Sequence, residues 1–168
     1  MSSWKHPQPD PVLPGQESVW AYPRPPRLEA STRRVRVELD GVLIADSVRA
    51  LRVLETSHPP TYYVHPEDVV WTLVEPAESH GSWCEWKGRA VYWNVRAGTT
   101  VVEAGAWSYP EPTGGFAAIA NHVAFYPARF TCHLDDELVT PQPGGFYGGW
   151  VTSEVVGPFK GAAGTLGW

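Results

Sequence analysis

The chain has 168 residues and a formal net charge of −5, with 43% hydrophobic and 18% charged residues. This balance is typical of a folded globular domain, and the acidic charge argues against nucleic acid as a partner, since nucleic acid favours a basic surface. No apolar run approaches the roughly 20 residues that cross a bilayer, and the first residues lack the apolar stretch of a signal peptide. Two widely spaced cysteines form no disulfide framework. We therefore expect a soluble cytoplasmic protein without a membrane partner.

Aromatic residues are abundant, with nine tryptophans and seven tyrosines. Each large ring buries much area, and buried indole N–H and phenol O–H groups need hydrogen-bond partners. The abundance is compatible with an aromatic β-core and with a cage for a ligand.

The composition divides the chain into three parts. Residues 1–33 are predicted to form a proline-rich extended arm, in which Trp20 and Tyr22 favour docking on the domain surface. Residues 34–140 are predicted to form one β domain. Residues 141–168 are rich in glycine and aromatics, which predicts an irregular strap packed on that domain. The paired glycines of the strap are not followed by the Lys-Ser/Thr of a phosphate-binding loop.

The domain begins with alternating apolar and polar residues over 34–45, which predict a β-hairpin with a type I′ turn at Asp40 and Gly41. Residues 51–54 predict a third strand, covered on both faces because the run breaks strict alternation. A short helix over 47–54 is the alternative.

The stretch 57–71 is the polar and aromatic centre of the sequence. Two prolines predict a stiff entry into a short strand, in which Tyr62 and Tyr63 point to opposite faces, one inward and one toward solvent or a ligand. A one-turn break at 66–68 precedes a second predicted strand, 69–74.

The remaining domain residues predict further hairpins and one short helix. These elements are, in chain order, a polar turn at 79–81, a tight hairpin around Lys87 and Gly88, a strand over 101–107, the helix 116–121, a strand over 123–126 and a last hairpin around Asp135 and Asp136.

Metal and catalytic motifs are weak in this sequence. Structural zinc usually takes cysteine pairs, whereas Cys84 and Cys132 each stand alone, so no metal or other cofactor is predicted. Cys84 lies three residues before Lys87, whose ammonium favours the reactive thiolate; the alternative is a small buried side chain. The histidines at 58, 65 and 122 are candidate bases, or turn and core residues bonded to backbone.

A binding site is the stronger prediction. Aromatic rings with one lysine and one carboxylate at strand ends and turns suit a small polar or zwitterionic ligand. The candidate ligand-binding residues are Glu55, His58, Tyr62, Tyr63, Cys84, Lys87, Trp107 and Tyr109.

Several segments resemble the bacterial and fungal domain-of-unknown-function-427 family: 40–47, 55–63, 84–88, 106–109 and 123–126, with the arm 20–27 and the tail 144–150. Members usually read Cys-Pro-aromatic-Lys-Gly where this chain has Glu85 after its cysteine. The resemblance implies a compact, mainly β domain of the β-tent (Mss4-like) type, built from antiparallel hairpins and lacking that group's usual zinc cysteines. It implies no established activity. A nucleotidyltransferase label is sometimes attached to the family. The sequence has Gly81-Ser82, but the spaced Asp-x-Asp/Glu pair that would hold magnesium does not follow it.

Three functional hypotheses follow. The first is a β domain that binds a small metabolite in an aromatic pocket. The second is an enzyme that uses Cys84 or a histidine, with Lys87 as electrophile. The third is an assembly module whose arm and tail bury against a second copy, giving a homodimer.

Overall fold

A computed structural model describes residues 6–78 and 81–168 of the protein. Within these residues the fold is mainly β, as predicted, with sixteen short strands and four short 3₁₀ helices. The strands are β1 (Glu17–Ser18), β2 (Arg27–Ala30), β3 (Val35–Leu39), β4 (Val42–Ser47), β5 (Leu51–Leu54), β6 (Thr61–Tyr63), β7 (Val74–Pro76), β8 (Ser82–Cys84), β9 (Gly88–Ala97), β10 (Thr100–Ser108), β11 (Ala124–Phe125), β12 (Thr131–Leu134), β13 (Glu137–Leu138), β14 (Thr140–Pro141), β15 (Trp150–Val151) and β16 (Val155–Val156). The 3₁₀ helices span Val19–Ala21, Pro66–Asp68, Trp71–Leu73 and Gly114–Ile119. No helix in the described part of the chain could span a membrane.

Three antiparallel sheets form the body of the protein. One has the strand order β13-β12-β3-β4, and another has the order β11-β10-β9-β7 with β8 also paired to β9. The third has the order β2-β5-β6. Strands β14 and β15 form an antiparallel pair, whereas β1 and β16 pair in parallel.

The main core is the largest buried apolar cluster, and all three sheets contribute to it. Its fully buried large side chains include Val35, Val37, Ile44, Tyr62, Val95, Phe125 and Trp150. A second cluster lies on the other face of β6 and β10 and includes Val53, Tyr63, Trp107, Tyr109, Phe116 and Ile119. We call this second cluster the cavity side.

Local turn chemistry explains the hairpin of β3 and β4. Asp40 and Gly41 have φ angles of 49° and 77°, and Leu39 pairs directly with Val42. Two consecutive positive φ angles are those of a type I′ turn, so this prediction is confirmed. The strand predicted at 51–54 is also confirmed, in preference to a helix, and its Val53 and Leu54 are both buried.

The strand predicted over 69–74 is wrong. Residues Trp71–Leu73 form a 3₁₀ turn, and the strand begins only at Val74. The indole Nε1 of Trp71 donates to the carbonyl oxygen of Pro66 at 2.7 Å, which folds the chain back on the preceding turn. Apolar residues alone do not distinguish such a turn from a buried strand.

Two further predictions need adjustment. The hairpin of β8 and β9 has a three-residue loop at 85–87, because Cys84 pairs with Gly88; Gly88 belongs to β9 and has a φ of 96°. The predicted helix 116–121 is instead the 3₁₀ helix Gly114–Ile119. The predicted turn at 79–81 lies mostly outside the described residues.

The arm and the strap pack against each other. Trp20 lies 5.7 Å from Trp168 between ring centroids, and its Nε1 donates to the carbonyl oxygen of Pro158 at 2.9 Å. Val19 of the arm is fully buried against Val155 of the strap. The arm also supplies β2, which pairs with β5. The exact division into arm, domain and strap stays a prediction.

A bulge interrupts the longest hairpin, β9 with β10. Val102 pairs with Val95 and Ala106 pairs with Trp93, so four steps along β10 oppose two along β9. Ala104 within the bulge has a φ of 50°, and its N–H donates to the Asn94 side-chain oxygen at 2.8 Å. The side-chain hydrogen bond holds the extra residues in place.

Candidate functional site

The two adjacent tyrosines of β6 point to opposite faces, as predicted. Tyr62 enters the main core and lies 5.1 Å from the ring of Trp150. Tyr63 enters the cavity side, with Trp107 and Tyr109 at ring distances of 6.4 and 6.3 Å. Tyr62 therefore does not belong with the other candidate residues, because strand alternation places it behind the sheet.

A half-open cavity of about 650 Å³ lies on the cavity side. Its walls come from the β5–β6 connection, the β8–β9 hairpin and the strap, and its floor comes from β6 and β10. Of the eight candidate residues, seven line it: Glu55, His58, Tyr63, Cys84, Lys87, Trp107 and Tyr109. Residues that are distant in sequence thus surround one space, although their binding role stays a prediction.

The floor of the cavity is aromatic. Tyr63, Trp107 and Tyr109 are buried, and Tyr126 lies 4.5 Å from Trp107 between ring centroids. Burial raises the pKa of Tyr63 and of Tyr109, and it raises the pKa of Tyr126 to about 12. The three phenols are therefore neutral near pH 7 and can donate O–H hydrogen bonds.

The β8–β9 hairpin places a cation beside these rings. The Lys87 Nζ lies 5.8 Å from the centroids of both Tyr109 and Phe116, within the range of a cation–π interaction. Among the salt bridges of the described residues none involves Lys87, so the ammonium is held by rings and not by a carboxylate. Cys84, at the end of β8, is half-buried and lines the same cavity.

Glu55 is the carboxylate of the cavity wall, and it already has two partners. Arg24 Nη2 donates to Glu55 Oε2 at 3.2 Å, and His58 Nε2 lies 3.4 Å from the same oxygen. Burial by itself raises the pKa of Glu55, but the hydrogen bond from His58, with the charges of Arg24 and Lys87, lowers it below its ordinary value. Glu55 is therefore ionised near neutral pH.

Gln142 determines which nitrogen of His58 carries the proton. The backbone N–H of Gly149 donates to Gln142 Oε1 at 3.1 Å, and Gln142 Nε2 donates to the carbonyl oxygen of Lys160 at 2.8 Å. The amide orientation is thus determined, so its second N–H points at His58 Nδ1, 3.0 Å away. His58 Nδ1 must accept this bond, which puts the ring proton on Nε2, facing Glu55. Both ring nitrogens are occupied, and neither offers a lone pair to a substrate.

The strap forms a further wall of the cavity, although none of the predicted ligand-binding residues lies in it. Tyr147 lies edge-on to His58 with ring centroids 4.8 Å apart, and Lys160 Nζ lies 5.7 Å from the Tyr147 centroid. Gln142 and Phe146 also line the cavity. An irregular segment has no periodicity that would assign a face to these residues. Two sequence features could have indicated this wall. Phe146 and Tyr147 stand together between paired glycines, and Lys160 is one of only three lysines in the chain.

Glycine allows the strap to approach the floor closely. A Cβ on Gly148 would lie 2.3 Å from Trp107 Cη2, and one on Gly149 would lie 2.5 Å from Gln142 Oε1. Any side chain at Gly148 would push the strap away from Trp107. These two glycines therefore set the width of the cavity on this side.

The other candidate bases lie elsewhere. His65 and His122 lie edge-on to each other with ring centroids 5.1 Å apart and do not line the cavity. Burial lowers the pKa of His122, and its Nδ1 is 3.1 Å from the carbonyl oxygen of Ala120, in keeping with a core histidine. Among the described residues, no group of three or more His, Cys, Asp or Glu side chains is placed to hold a metal ion.

Comparison with known proteins places the chain in a family without assigning an activity. No curated protein matches it. A family model described as Domain of unknown function (DUF427) matches residues 27–138, which include β2 to β13 and most of the cavity floor and hairpin wall. The chain belongs to the DUF427 family.

Proposed function

We propose that the protein binds a small polar metabolite in the cavity between the β8–β9 hairpin, the β5–β6 connection and the strap. The observation that carries this proposal is the convergence of Glu55, Tyr63, Lys87, Trp107 and Tyr109 on one half-open space of about 650 Å³. Small-molecule sites typically have roughly 300–1,000 Å³ and an apolar lining with a few polar groups. We also propose that the fold is of the β-tent type and that the protein is cytoplasmic.

The arrangement of hydrogen bonds favours binding over catalysis by histidine. Both nitrogens of His58 are used inside the protein, one by Gln142 and the other toward Glu55. A general base needs a free lone pair within reach of the substrate. His58 instead joins the strap, through Gln142, to the β5–β6 connection.

A thermal-shift screen with a metabolite library tests the proposal. A ligand at about 100 times its Kd stabilises the folded state by about 2.7 kcal/mol, which raises the Tm of a chain of this size by about 5–10 °C. Replacing Lys87→Met should remove most of the shift. Replacing Arg89→Met is the matched control, because Arg89 is exposed on the same hairpin and does not line the cavity. A broad library without any stabilising compound would overturn the proposal.

Cys84 favours a second candidate, a thiol-dependent enzyme. Its side chain lines the cavity and is half-buried, so a bound substrate could reach the sulfur. The test is the rate constant for alkylation of Cys84 by iodoacetamide near pH 7, compared with that of free cysteine. A rate at least about tenfold above free cysteine supports an activated thiolate. An equal or lower rate removes this candidate.

A further inference from the structure

We infer that the ligand of this cavity is a planar aromatic ring that carries one anionic group, either a carboxylate or a phosphate. The anionic group contacts Lys87 and the phenol hydroxyls of the floor, and the ring lies between the aromatic side chains of the mouth. This inference rests on the proposed function and specifies the chemical class of its ligand.

The cations of the cavity exclude a positively charged ligand. Aromatic cages often bind ligand cations such as quaternary ammonium groups. Here the rings already have cations from the protein, since Lys87 lies over Tyr109 and Phe116 and Lys160 lies over Tyr147. A second cation in the same space would be repelled at close range. The ligand must therefore bring negative charge or none.

The single carboxylate of the lining does not cancel this positive charge. Glu55 is paired with Arg24 and faces the proton of His58 Nε2, so Arg24, which does not line the cavity, already offsets the charge of Glu55. Lys160 Nζ is partly engaged, because it donates to the backbone oxygen of Trp168 at 3.3 Å. Lys87 is the lining cation for which the described residues supply no carboxylate within salt-bridge distance. Although the protein has a net charge of −5, this cavity is lined by two lysines and only one carboxylate.

The floor supplies neutral donors beside the ammonium. Because burial raises the pKa of Tyr109 and of Tyr126, both keep their hydroxyl protons near neutral pH. At the edge of the cavity the hydroxyls of Ser82 and Tyr92 lie 2.7 Å apart, so one of the two donates to the other. An ammonium together with several O–H donors can bind the oxygens of a carboxylate or phosphate. Hydrogen bonds to an ionised acceptor are stronger than those between neutral groups.

The mouth of the cavity accounts for the planar part. Trp83 on the hairpin wall is 74% exposed and Phe146 on the strap is 75% exposed, and both line the cavity. Large rings that remain in water at the lining of a cavity indicate a surface that a ligand covers. A planar ligand ring that contacts both side chains would bury much of its own surface. Offset and edge-on contacts between aromatic rings are the favourable ones.

Matched probes test the charge of the ligand. Isothermal titration calorimetry with benzoate, benzamide and benzamidinium varies the charge on one ring, and adenosine 5′-monophosphate against adenosine tests the phosphate form. We expect at least one of the two anions to bind with a Kd at least tenfold below that of its neutral partner, and benzamidinium not to bind. Lys87→Met should remove this difference, whereas Arg89→Met should retain it. The anionic group that is preferred is the one whose compound gains more affinity over its own neutral partner.

A second set of measurements tests the planar part. Cyclohexanecarboxylate should bind at least fivefold more weakly than benzoate. Phe146→Ala should weaken binding of the preferred anion at least fivefold, whereas Leu166→Ala should not, since Leu166 is 86% exposed on the strap and does not line this cavity. Equal binding of benzoate and cyclohexanecarboxylate would overturn the aromatic part of the inference.

Failure of this inference is distinguishable from failure of the proposed function. Neutral or cationic probes that bind as tightly as the anions, or no binding of either anion up to about 10 mM, overturn the inference. A neutral or cationic compound that stabilises the protein in the library screen and depends on Trp107 would leave the proposed function intact. A screen without any stabilising compound overturns both.

Discussion

Tyr62 and Tyr63 are neighbours in sequence, yet they belong to two different environments. The side of Tyr62 is solid: Trp150 from the strap packs on it, and the surrounding valines are fully buried. The side of Tyr63 opens into a cavity whose walls are a hairpin, a connection and the strap. The difference shows that one strand can carry a packed core on one face and a candidate site on the other. The segments that reach the Tyr62 face fill it, whereas those that reach the Tyr63 face surround an open space.

The two cysteines report on these two sides directly. Cys132 lies in the main core, and burial raises the pKa of its thiol to about 12, whereas Cys84 lines the cavity. We expect Cys84 to react with a disulfide reagent at least about 10³-fold faster than Cys132 in the folded protein, because Cys132 needs an opening of the core first. Mass spectrometry of peptides over time measures both rates. In denaturant the two rates should become similar, and comparable rates in the folded protein would contradict a solid core.

Matched tryptophan truncations compare the two sides in stability. Trp150→Ala should lower the free energy of unfolding by about 3–5 kcal/mol, because it leaves an enclosed void beside Tyr62. Trp107→Ala should lower it by a smaller amount, about 2–3 kcal/mol, because the cavity side is already open to water. Urea unfolding of both variants gives the comparison. A larger loss for Trp107→Ala would show that the cavity side carries more of the packing.

Gly148→Ala tests whether the strap determines the width of the cavity. Its new Cβ would lie 2.3 Å from Trp107 Cη2, so the strap must shift, at about 1–3 kcal/mol of stability. Gly115→Ala is the control, because a Cβ there meets nothing within 4 Å and its φ is not in the left-handed region. Urea unfolding and near-ultraviolet circular dichroism of the two variants measure the effect. Equal behaviour of both variants would mean that the strap is loosely held.

Glu55→Gln should have the smallest effect, with a defined pH dependence. The folded-state pKa of Glu55 is below its ordinary value, so its ionised form stabilises the fold above the pKa of the unfolded carboxyl, and this contribution disappears as the pH falls through the folded-state pKa. We expect a loss of less than about 1 kcal/mol near pH 7, since the pair with Arg24 is partly exposed. Unfolding measured from pH 7 to strongly acidic pH should show wild type and variant converging. Glu85→Gln, at an exposed position outside the cavity lining, is the control and should leave the stability near pH 7 close to that of the wild type.

Features determined by neighbouring residues could be predicted from the sequence. Asp40 and Gly41 define their turn by local chemistry, and strand alternation alone separates Tyr62 from Tyr63. Alternation could not say which face is solid, because that depends on Trp150, which arrives from the strap much later in the chain. For this reason Tyr62 entered the list of candidate residues although it lies in the core.

Features determined by long-range contacts escaped prediction. The apolar run 69–74 fits a strand equally well. It becomes a turn through the Leu73 N–H, which donates to the carbonyl oxygen of Val70, and through the Trp71 indole, which donates to Pro66. Gln142 and Lys160 lie in a segment without periodicity, so no pattern assigned them to a wall of the cavity. The amide of Gln142 acquires its role only through Gly149, His58 and Lys160 together.

The bulge of β10 determines where the length of this hairpin can change. Its two extra residues keep the pleat in phase, so Val102 and Ala106 both face the main core while Trp107 faces the cavity. A single-residue deletion between Val102 and Ala106 would leave a bulge with one extra residue, which antiparallel pairs commonly contain. Trp107 keeps its side as long as Ala106 keeps its pairing with Trp93, whereas a slip of that pairing by one residue would exchange the two sides. The bulge is therefore the place where this hairpin can change in length without moving the aromatic floor.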